Sequence, residues 1–376
     1  MKSNAKNQGD EQMKRISGPL ATLRTFCIAA ATATVVSAAP AAAKDKFVYG
    51  VPSAISSAIA NFVFAQELGY FERENIELEM VPLAGSSVII PQLLSAQIHA
   101  SGASLEPLVI ARQPGKPNFP LKFVYNYLRN SVWEFAVLRD SPIKTVADLR
   151  GKTLGVVSLG SGNIYTTRAI LASAGVPWDS VKIQPVGFGV QAFEALRTNQ
   201  IQMLNLWESA HAALDNAGTP LRRLEYPAEF NGMSSHGFSV TDKLLAENPG
   251  LLARFGRAVS MGSVACIANY EGCMRAFWKR YPEQKPKVGT EEDILRRELA
   301  IMVPRMQNIG YFPPGQPRRW GEYAERDWRL LIAALKVGGE VTNENIPLDS
   351  LYTNRLVPEF NRFDEAAVIA QAKAYR

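Results

Sequence analysis

Residues 151–170 read GKTLGVVSLGSGNIYTTRAI. An apolar strand is predicted over residues 153–158, and a Gly-Ser-Gly turn at 160–162 leads from it into a helix over 164–174. A strand that ends in a glycine turn and begins a helix directs free backbone N–H groups at whatever lies beyond the strand. The segment therefore predicts one strand–helix unit of an α/β fold, with a ligand-site geometry at the strand end.

Two nucleotide-binding motifs do not fit this segment. A phosphate-binding P-loop needs a glycine five residues before Gly151, where Val146 stands, and its lysine must begin the helix, whereas Lys152 precedes the strand. A dinucleotide fingerprint needs a glycine three residues after Gly162, and that position is Tyr165. The sequence therefore argues against a nucleotide at this turn.

The N-terminus predicts a secretory signal peptide over residues 1–43. Lys14 and Arg15 precede a largely apolar, small-residue run over 25–37, and three alanines at 41–43 suit a signal peptidase. The charged start is long, so Met13 is an alternative initiator. We expect the mature chain to be exported and soluble in the periplasm.

Composition narrows the class of protein. The chain of 376 residues is 47% hydrophobic and 20% charged, which is typical of a globular protein. Residues 44–376 carry 36 basic and 33 acidic side chains, and no Lys/Arg stripe interleaved with aromatics suggests nucleic acid. The longest apolar stretch after the leader, 251–269, contains Arg254 and Arg257, so no membrane insertion is expected. A chain of this length predicts two lobes.

Cys266 and Cys273 are the two cysteines that follow the leader. In one continuous helix their Cα atoms would lie roughly 10.5 Å apart, beyond the ~7 Å that a disulfide tolerates. A frayed helix end at residues 271–272 would bring them together. The sequence favours two buried thiols over a disulfide.

The rest of the chain alternates strand-like and helix-like segments, which predicts an α/β protein with mainly parallel sheets. A first unit is predicted to contain strands over 47–51, 76–82, 98–103, 121–127 and 134–139, with helices over 57–68 and 87–95. A second unit repeats the scheme with strands over 153–158, 181–185 and 201–206, and helices over 164–174 and 190–198. After residue 240 the chain is mostly helical, over 249–270, 291–302, 322–336 and 365–375.

The two units share a local phrase. Residues 92–98 read QLLSAQI, and residues 194–201 read EALRTNQI. Each predicts a helix end, a tight turn and a strand, which supports two lobes of like topology.

Residues 140–156 read DSPIKTVADLRGKTLGV, the most specific phrase in the chain. It resembles the segment that enters the second lobe in ABC-transporter solute-binding proteins of the sulfonate, nitrate and taurine group, which are related to NMT1/THI5-like proteins. ELGYF at 67–71, NP at 248–249 and NRFD at 361–364 support the resemblance. It covers nearly all of residues 46–376.

The resemblance implies a type II periplasmic-binding-protein fold, in which two α/β lobes close a hinge cleft on a ligand. Lobe 1 would comprise residues 44–140 and a return over 237–376, and lobe 2 residues 141–236. The two crossovers would fall near 138–141 and 237–241. The resemblance also implies a small-molecule ligand, an ABC permease with its ATPase as partner, and a monomer without cofactor or metal.

The chain departs from the family at two turns where relatives commonly carry Gly-x-x-Asp. It has AQIH at 96–99 and NQIQ at 199–202. Asn199 tolerates a left-handed turn, whereas Ala96 does so only at a cost. We therefore expect the first turn to differ in shape, which places His99 and Ser101 in doubt as site residues.

Ligands of such sheets bind beyond the carboxyl ends of the strands, and small hydroxyl residues and glycines gather there. The alternative for each residue is a purely structural role, because Ser and Gly are common in turns. The candidate ligand-binding residues are Ser53, Ser56, Gly85, Ser86, Ser87, Ser104, Arg129, Trp133, Ser158, Gly160, Ser161, Gly162, Asn163, Phe188, Trp207 and Glu208.

Helix N-termini with hydroxyls suit an oxyanion such as a sulfonate, carboxylate or nitrate. Arg129 is the nearby cation, although a solvated loop arginine is an equal alternative. The aromatic candidates, with Tyr165, would sandwich an aromatic or alkyl tail unless they belong to the core. Glu208 would accept from an amine or hydroxyl, or cap a helix. His211 and His236 suggest core or surface roles rather than a metal site.

The sequence therefore predicts a periplasmic solute-binding receptor for a small organic anion. Two alternatives are an enzyme on the same fold, of the pyrimidine-precursor synthase or desulfinase type, and a periplasmic sensor subunit. Enzymes of the group need a cleft cysteine or a cysteine cluster with a histidine, and both cysteines here lie in the predicted C-terminal helical region. We expect no enzyme.

Overall fold

The computed structural model describes residues 43–376 apart from Pro117 and Gln316. The predicted signal peptide lies outside the described residues except for Ala43. Phe47, Tyr49 and Val51 alternate along the first strand and are all buried, as expected of a strand that packs one face on a core.

Five strands form the first sheet. Their spatial order is β2 (Ile76–Pro82), β1 (Asp45–Val51), β3 (Ala100–Ser104), β10 (His236–Thr241) and β4 (Leu121–Leu128). β1 pairs in parallel with β2 and β3, whereas β10 is antiparallel to both β3 and β4.

The second sheet repeats this plan. Its order is β7 (Lys182–Pro185), β6 (Thr153–Val156), β8 (Met203–Trp207), β5 (Trp133–Leu138) and β9 (Leu221–Leu224). β6 pairs in parallel with β7 and β8, and β5 is antiparallel to β8 and β9. The prediction of mainly parallel sheets is confirmed, with one reversed strand in each.

Helices connect and cover the sheets. In the first lobe they are α1 (Ala60–Glu67), α2 (Tyr70–Arg73), α3 (Ser86–Leu94) and α4 (Glu106–Ala111), and in the second α5 (Asn163–Ser173), α6 (Val190–Arg197) and α7 (Glu208–Asn216). The later helices are α8 (Asp242–Glu247), α9 (Pro249–Ala268), α10 (Tyr270–Arg280), α11 (Glu291–Ile309), α12 (Glu325–Val337), α13 (Val357–Phe360) and α14 (Glu365–Ala374).

Aromatic side chains fill the core between the first sheet and α1 and α9. The Phe47 and Phe255 rings stack with centroids 4.1 Å apart, and Tyr125 stacks on Phe238 at 4.6 Å. Such pairs add about 0.5–1.5 kcal/mol each beyond their buried area. This core holds β1 and β10 rigidly, and with them the residues at their ends.

The crossovers between the sheets differ from those expected. β5 lies in the second sheet and β10 in the first, so the chain crosses over residues 129–132 and 225–235. The expected crossovers at 138–141 and 237–241 are wrong, as is the placement of strand 134–139 in the first unit. A hydrophobic pattern identifies a strand without identifying its partner, and here the partner belongs to the other lobe.

The two tight turns have the same shape, contrary to expectation. Ala96 has φ 57° and Asn199 has φ 59°, so both residues are left-handed. Beyond the first turn, Nδ1 of His99 accepts a hydrogen bond from the Val48 amide at 2.9 Å, and Ser101 donates to the Gly50 carbonyl at 2.7 Å. His99 and Ser101 thus serve the strands of the first sheet.

Cys266 and Cys273 form a disulfide, and the prediction of two free thiols is wrong. The segment is not one helix, because α9 ends at Ala268 and α10 begins at Tyr270. Asn269 stands between them and caps α10 by accepting from the Gly272 amide at 2.8 Å. The break brings the two Cα atoms to 5.1 Å, within disulfide range.

In the described part of the chain, α9 is the one helix whose length and composition would allow it to cross a membrane. Of its apolar window, 78% is buried inside the protein. Its arginines project to carboxylates, with Arg254 Nη2 2.6 Å from Asp45 and Arg257 Nη2 2.6 Å from Glu74. α9 is therefore packed as a core helix.

The strained turn generates a stability prediction. Ala96→Gly removes the cost of a left-handed non-glycine residue, which is about 1–2 kcal/mol. Glycine also raises the conformational entropy of the unfolded chain, and this lowers stability by about 0.4–1 kcal/mol. We expect the free energy of unfolding to rise by up to about 1 kcal/mol, measured by equilibrium urea unfolding.

Asn199→Gly is the matched control at the equivalent turn of the other lobe. Asparagine tolerates the left-handed region, so this variant should gain less than Ala96→Gly. An equal gain at both turns, or a loss at residue 96, would contradict the strain argument.

Candidate functional site

A cavity of about 400 Å³ lies between the two lobes, within the range of small-molecule sites. It is lined from one side by residues at or just after the ends of β1, β2 and β3, and from the other by residues at or just after the ends of β6, β7 and β8. The carboxyl ends of parallel strands therefore face each other across it, as the fold class predicts.

The first lobe contributes three short turns. Ser53 follows β1, Gly85 and Ser86 begin α3, and Ser104 ends β3. Gly85 has φ 86° and ψ −179°, a conformation that favours glycine. The turn places the start of α3 at the cavity.

The second lobe contributes the Gly-Ser-Gly turn. Ser158 and Ser161 lie with their Oγ atoms 3.1 Å apart, and both line the cavity with Gly162. A β-carbon at Gly162 would collide with the β-carbon of Ser104 in the other lobe. Glycine at 162 is thus what allows the two lobes to approach this closely.

Aromatic rings form the wall at the second sheet. Trp133 and Trp207 meet edge to face with centroids 6.1 Å apart, and Phe188 lies 5.3 Å from Trp207. Tyr49 and Tyr127 add their edges from the first sheet. Phe188 is 41% exposed, which is unusual for a large apolar ring and places it at the cavity mouth.

His236 lies at the start of β10, on the cavity wall. Its Nε2 is 3.3 Å from Ser104 Oγ, and its Nδ1 is 3.0 Å from Ser235 Oγ. Burial, and then the positive charge of Arg305, lower the pKa of His236 to about 3. The imidazole is therefore neutral near pH 7, and its two ring nitrogens, one a donor and one an acceptor, face the Ser104 and Ser235 hydroxyls. Among the described residues, no group of three or more His, Cys, Asp or Glu could hold a metal ion.

Arg305 brings a cation to the cavity from the C-terminal part of α11. Its Nη2 donates to Glu208 Oε2 at 3.1 Å, and its Nε donates to the other carboxylate oxygen. Burial alone would lower the pKa of Arg305, but the Glu208 carboxylate outweighs burial and raises it. The guanidinium is charged and held by two hydrogen bonds.

Most of the candidates from the sequence come together around this cavity. Those that line it are Ser53, Gly85, Ser86, Ser104, Trp133, Ser158, Ser161, Gly162, Phe188 and Trp207.

The other candidates lie outside the cavity lining: Ser56, Ser87, Arg129, Gly160, Asn163 and Glu208. Arg129 is buried elsewhere, with Nη2 donating to the Arg319 carbonyl at 2.7 Å and its guanidinium 4.2 Å above the Phe312 ring. Its interpretation as the cleft cation is wrong. Asn163 instead donates to Asn205 Oδ1 at 2.6 Å, and Ser87 faces Gly160 across the cleft edge.

Several lining residues were missed by sequence reasoning. Tyr49 and Tyr127 lie within strands, His236 begins a strand, and Arg305 lies within a helix. None of these residues follows a strand, and the sequence points to site residues only at positions that follow predicted strands. The direction of β10 would have predicted His236 as a site residue. The start of an antiparallel strand lies at the same edge of the sheet as the ends of its neighbours.

A buried carboxyl also lies where the lobes meet. Glu106 of α4 accepts a hydrogen bond from Thr166 of α5 at 2.7 Å, and its Oε2 has no hydrogen-bond partner in the described residues. Burial raises the pKa of Glu106 from 4.5 to about 7, although hydrogen bonds from the backbone and Thr166 favour the charged form. Glu106 is thus a group whose charge changes near neutral pH.

Comparison with solved structures agrees with this architecture. The alkanesulfonate-binding protein SsuA of Xanthomonas axonopodis pv. citri, bound to MOPS, aligns with TM-score 0.61 at 15% identity over 83% of this chain and 100% of its own. The periplasmic nitrate-binding protein NrtA of Synechocystis PCC 6803 aligns with TM-score 0.60 at 14% identity over 89% and 98%. The desulfurization enzyme DszB aligns with TM-score 0.50 at 16% identity over 84% and 99%. The chain therefore has the periplasmic-binding-protein fold.

Sequence comparison identifies the family. The NMT1/THI5-like family model matches residues 56–272, more than half of the chain, and the chain belongs to this family. The riboflavin-binding protein RibY of Chloroflexus aurantiacus is 25% identical over 297 residues, which cover 77% of this chain and 82% of RibY. The family resemblance inferred from residues 140–156 is confirmed.

Glu106 generates a pH prediction. Because its folded-state pKa lies above 4.5, folding takes up a proton between about pH 4.5 and 7, and stability falls as pH rises through that window. Glu106→Gln should match wild type near pH 5 and exceed it above pH 8 by on the order of 2–3 kcal/mol. Thermal unfolding of both proteins from pH 4.5 to 8.5 measures this difference.

The exposed Glu247→Gln variant is the control and should follow the wild-type profile. His236 acts in the opposite direction below pH 6.5, because its folded-state pKa is lowered. It is present in both proteins, so their difference reports on Glu106. A difference that stays constant from pH 5 to pH 8 would refute the buried-carboxyl assignment.

Proposed function

We propose that this protein is the periplasmic solute-binding component of an ABC importer and that its cleft captures a small, flat, uncharged aromatic solute. The observation that carries the proposal is the cavity of about 400 Å³ between the two lobes, walled by Trp133, Phe188 and Trp207. A cavity of this composition gains most from an apolar ring that displaces water.

The receptor part of the proposal is supported by the comparisons. SsuA is an alkanesulfonate-binding protein, NrtA a periplasmic nitrate-binding protein and RibY a riboflavin-binding protein. A permease with its ATPase would then take the solute from the closed cleft, and the predicted signal peptide over 1–43 would export the chain. We propose that it acts as a monomer.

The aromatic part of the proposal replaces the small anion expected from the sequence. That expectation rested on helix N-termini and on Arg129, and Arg129 does not line the cavity. The cation that does, Arg305, already binds a carboxylate. Without a cation of its own to meet, an anion would lose its hydration with little return.

The two lobes are proposed to close by rotation about the two crossovers, residues 129–132 and 225–235. Ser104 of one lobe and Gly162 of the other lie close together in this structure, which supports its assignment to the closed form. A ligand that binds both walls binds the closed form better, and it shifts the open–closed equilibrium by that difference in affinity.

Among the described residues, the enzyme alternative lacks a cysteine nucleophile at this site. Cys266 and Cys273 are joined in a disulfide in the helical core and do not line the cavity. The fold alone, shared with DszB, does not decide between binding and catalysis.

Thermal unfolding of residues 44–376 against a ligand panel tests the proposal. The panel contains riboflavin, lumichrome, a hydroxymethylpyrimidine, naphthalene-2-sulfonamide, taurine and nitrate. A ligand at a hundred times its Kd should stabilise the protein by about 2.7 kcal/mol. Stabilisation by the uncharged aromatics is the expected outcome, whereas stabilisation by taurine or nitrate alone would contradict it.

Removing one wall should weaken capture of the aromatic ligand that the panel identifies. Trp207→Ala should raise its Kd roughly 10- to 100-fold, because stacking on an aromatic side chain is worth about 1–3 kcal/mol per ring. Isothermal titration calorimetry measures the change.

Trp178→Ala is the matched control, since Trp178 packs beneath Arg168 with 4.7 Å between guanidinium and ring, outside the cavity. This variant should keep the wild-type Kd. An equal loss in both variants would indicate general destabilisation rather than a lost stacking surface.

A further inference from the structure

The lining of the cavity carries few charges, and these charges affect whether the proposed receptor selects anionic or uncharged solutes. Among the described residues that line the cavity, Arg305 is the only Lys, Arg, Asp or Glu. Such a wall would ordinarily attract anions, because an unpaired guanidinium offers a planar set of donors that matches a carboxylate or sulfonate.

Glu208 accepts hydrogen bonds from two of those donors, Nε and Nη2 of Arg305. It begins α7, directly after β8, and it does not line the cavity. Both of its oxygens accept from Arg305, and the two side chains are only 12% and 11% exposed. The pair is therefore largely withdrawn from water, and the carboxylate offsets the positive charge that an anion in the cavity would meet.

The pair also joins the two lobes. Glu208 belongs to the second sheet's connections, whereas α11 carries Met302 and Met306 into the core beneath the first sheet. α11 packs directly against α7. The carboxylate consequently meets the guanidinium where the lobes come together beside the ligand cavity.

We propose that Glu208 is a specificity-determining residue that neutralises Arg305 and thereby makes the closed cleft select uncharged over anionic aromatic solutes. This inference rests on the proposed function. It acts through Arg305, so Glu208 is a positioning residue and does not touch the solute. An anion that meets the donors of Arg305 left free by Glu208 also meets the Glu208 carboxylate, which offsets the positive charge and repels the anion.

The test uses two probes of one shape and different charge, naphthalene-2-sulfonate and naphthalene-2-sulfonamide. Titration calorimetry measures both Kd values for wild type and for Glu208→Gln, which keeps the size of the side chain and removes its charge. We expect the ratio of sulfonate to sulfonamide affinity to rise at least tenfold in the variant.

Two controls separate charge from general damage. Glu194→Gln breaks an exposed pair with Arg197 in the same lobe, and it should leave the ratio unchanged. Glu208→Asp retains the carboxylate and should keep the ratio near that of wild type.

The single variant Glu208→Gln leaves the buried charge of Arg305 without a partner, which can prevent folding. A double variant covers that case. Glu208→Gln with Arg305→Met removes both charges and should bind the sulfonamide with the wild-type preference. Selective loss of sulfonate affinity in the double variant would show that Arg305 serves anions in the wild type, and it would overturn the proposal.

The outcomes also distinguish this proposal from the proposed function. Wild type that binds the aromatic panel, with a ratio unchanged in folded Glu208→Gln, overturns the role of Glu208 and leaves the receptor standing. Wild type that binds no aromatic contradicts the proposed function. In that case, a gain of sulfonate binding by Glu208→Gln would still support the role of Glu208. If the variant gained no sulfonate binding, the proposed role of Glu208 would be overturned.

Discussion

The structure depends on two strands that run against both of their neighbours. β5 and β10 each enter a sheet directly after the chain crosses between lobes, and each is inserted antiparallel. The start of a reversed strand lies at the same edge as the ends of its neighbours. Trp133 therefore pairs with Trp207, and His236 with Ser104, in the two sheet registers. The crossover that forms the hinge thus also delivers side chains to the cleft.

This arrangement also explains how closely the fold followed from the sequence. The strand predicted over 76–82 is observed as Ile76–Pro82, because apolar residues, glycine and proline mark strands locally. The strand Trp133–Leu138 was recognised but placed in the wrong lobe, since its hydrogen-bond partners lie 68–89 positions further along the chain. The turn at Ala96 was misjudged because tertiary packing overrides a local preference of about 1–2 kcal/mol. The disulfide was misjudged because the helix breaks at Asn269, between the two cysteines.

The candidate site followed from the sequence only where it consists of turns. Ser158, Ser161 and Gly162 follow a predicted strand, and they line the cavity. Arg305 carries no such signal, because it is one of several arginines in α11 and only the fold brings it to the cleft. Arg129 shows the converse, since it follows β4 and yet stacks on Phe312.

The chemistry of the cleft consequently belongs to pairs rather than to single residues. Ser104 contacts His236, and Glu208 binds Arg305, each pair joining distant parts of the chain. A buried hydroxyl beside a neutral imidazole presents a polar edge, and a buried carboxylate beside a guanidinium presents almost no net charge. One substitution in either pair changes what its partner offers to a solute while the sheets stay as they are. SsuA and NrtA, an alkanesulfonate-binding and a nitrate-binding protein, both superimpose on this chain at 14–15% identity, so the fold alone does not decide the ligand.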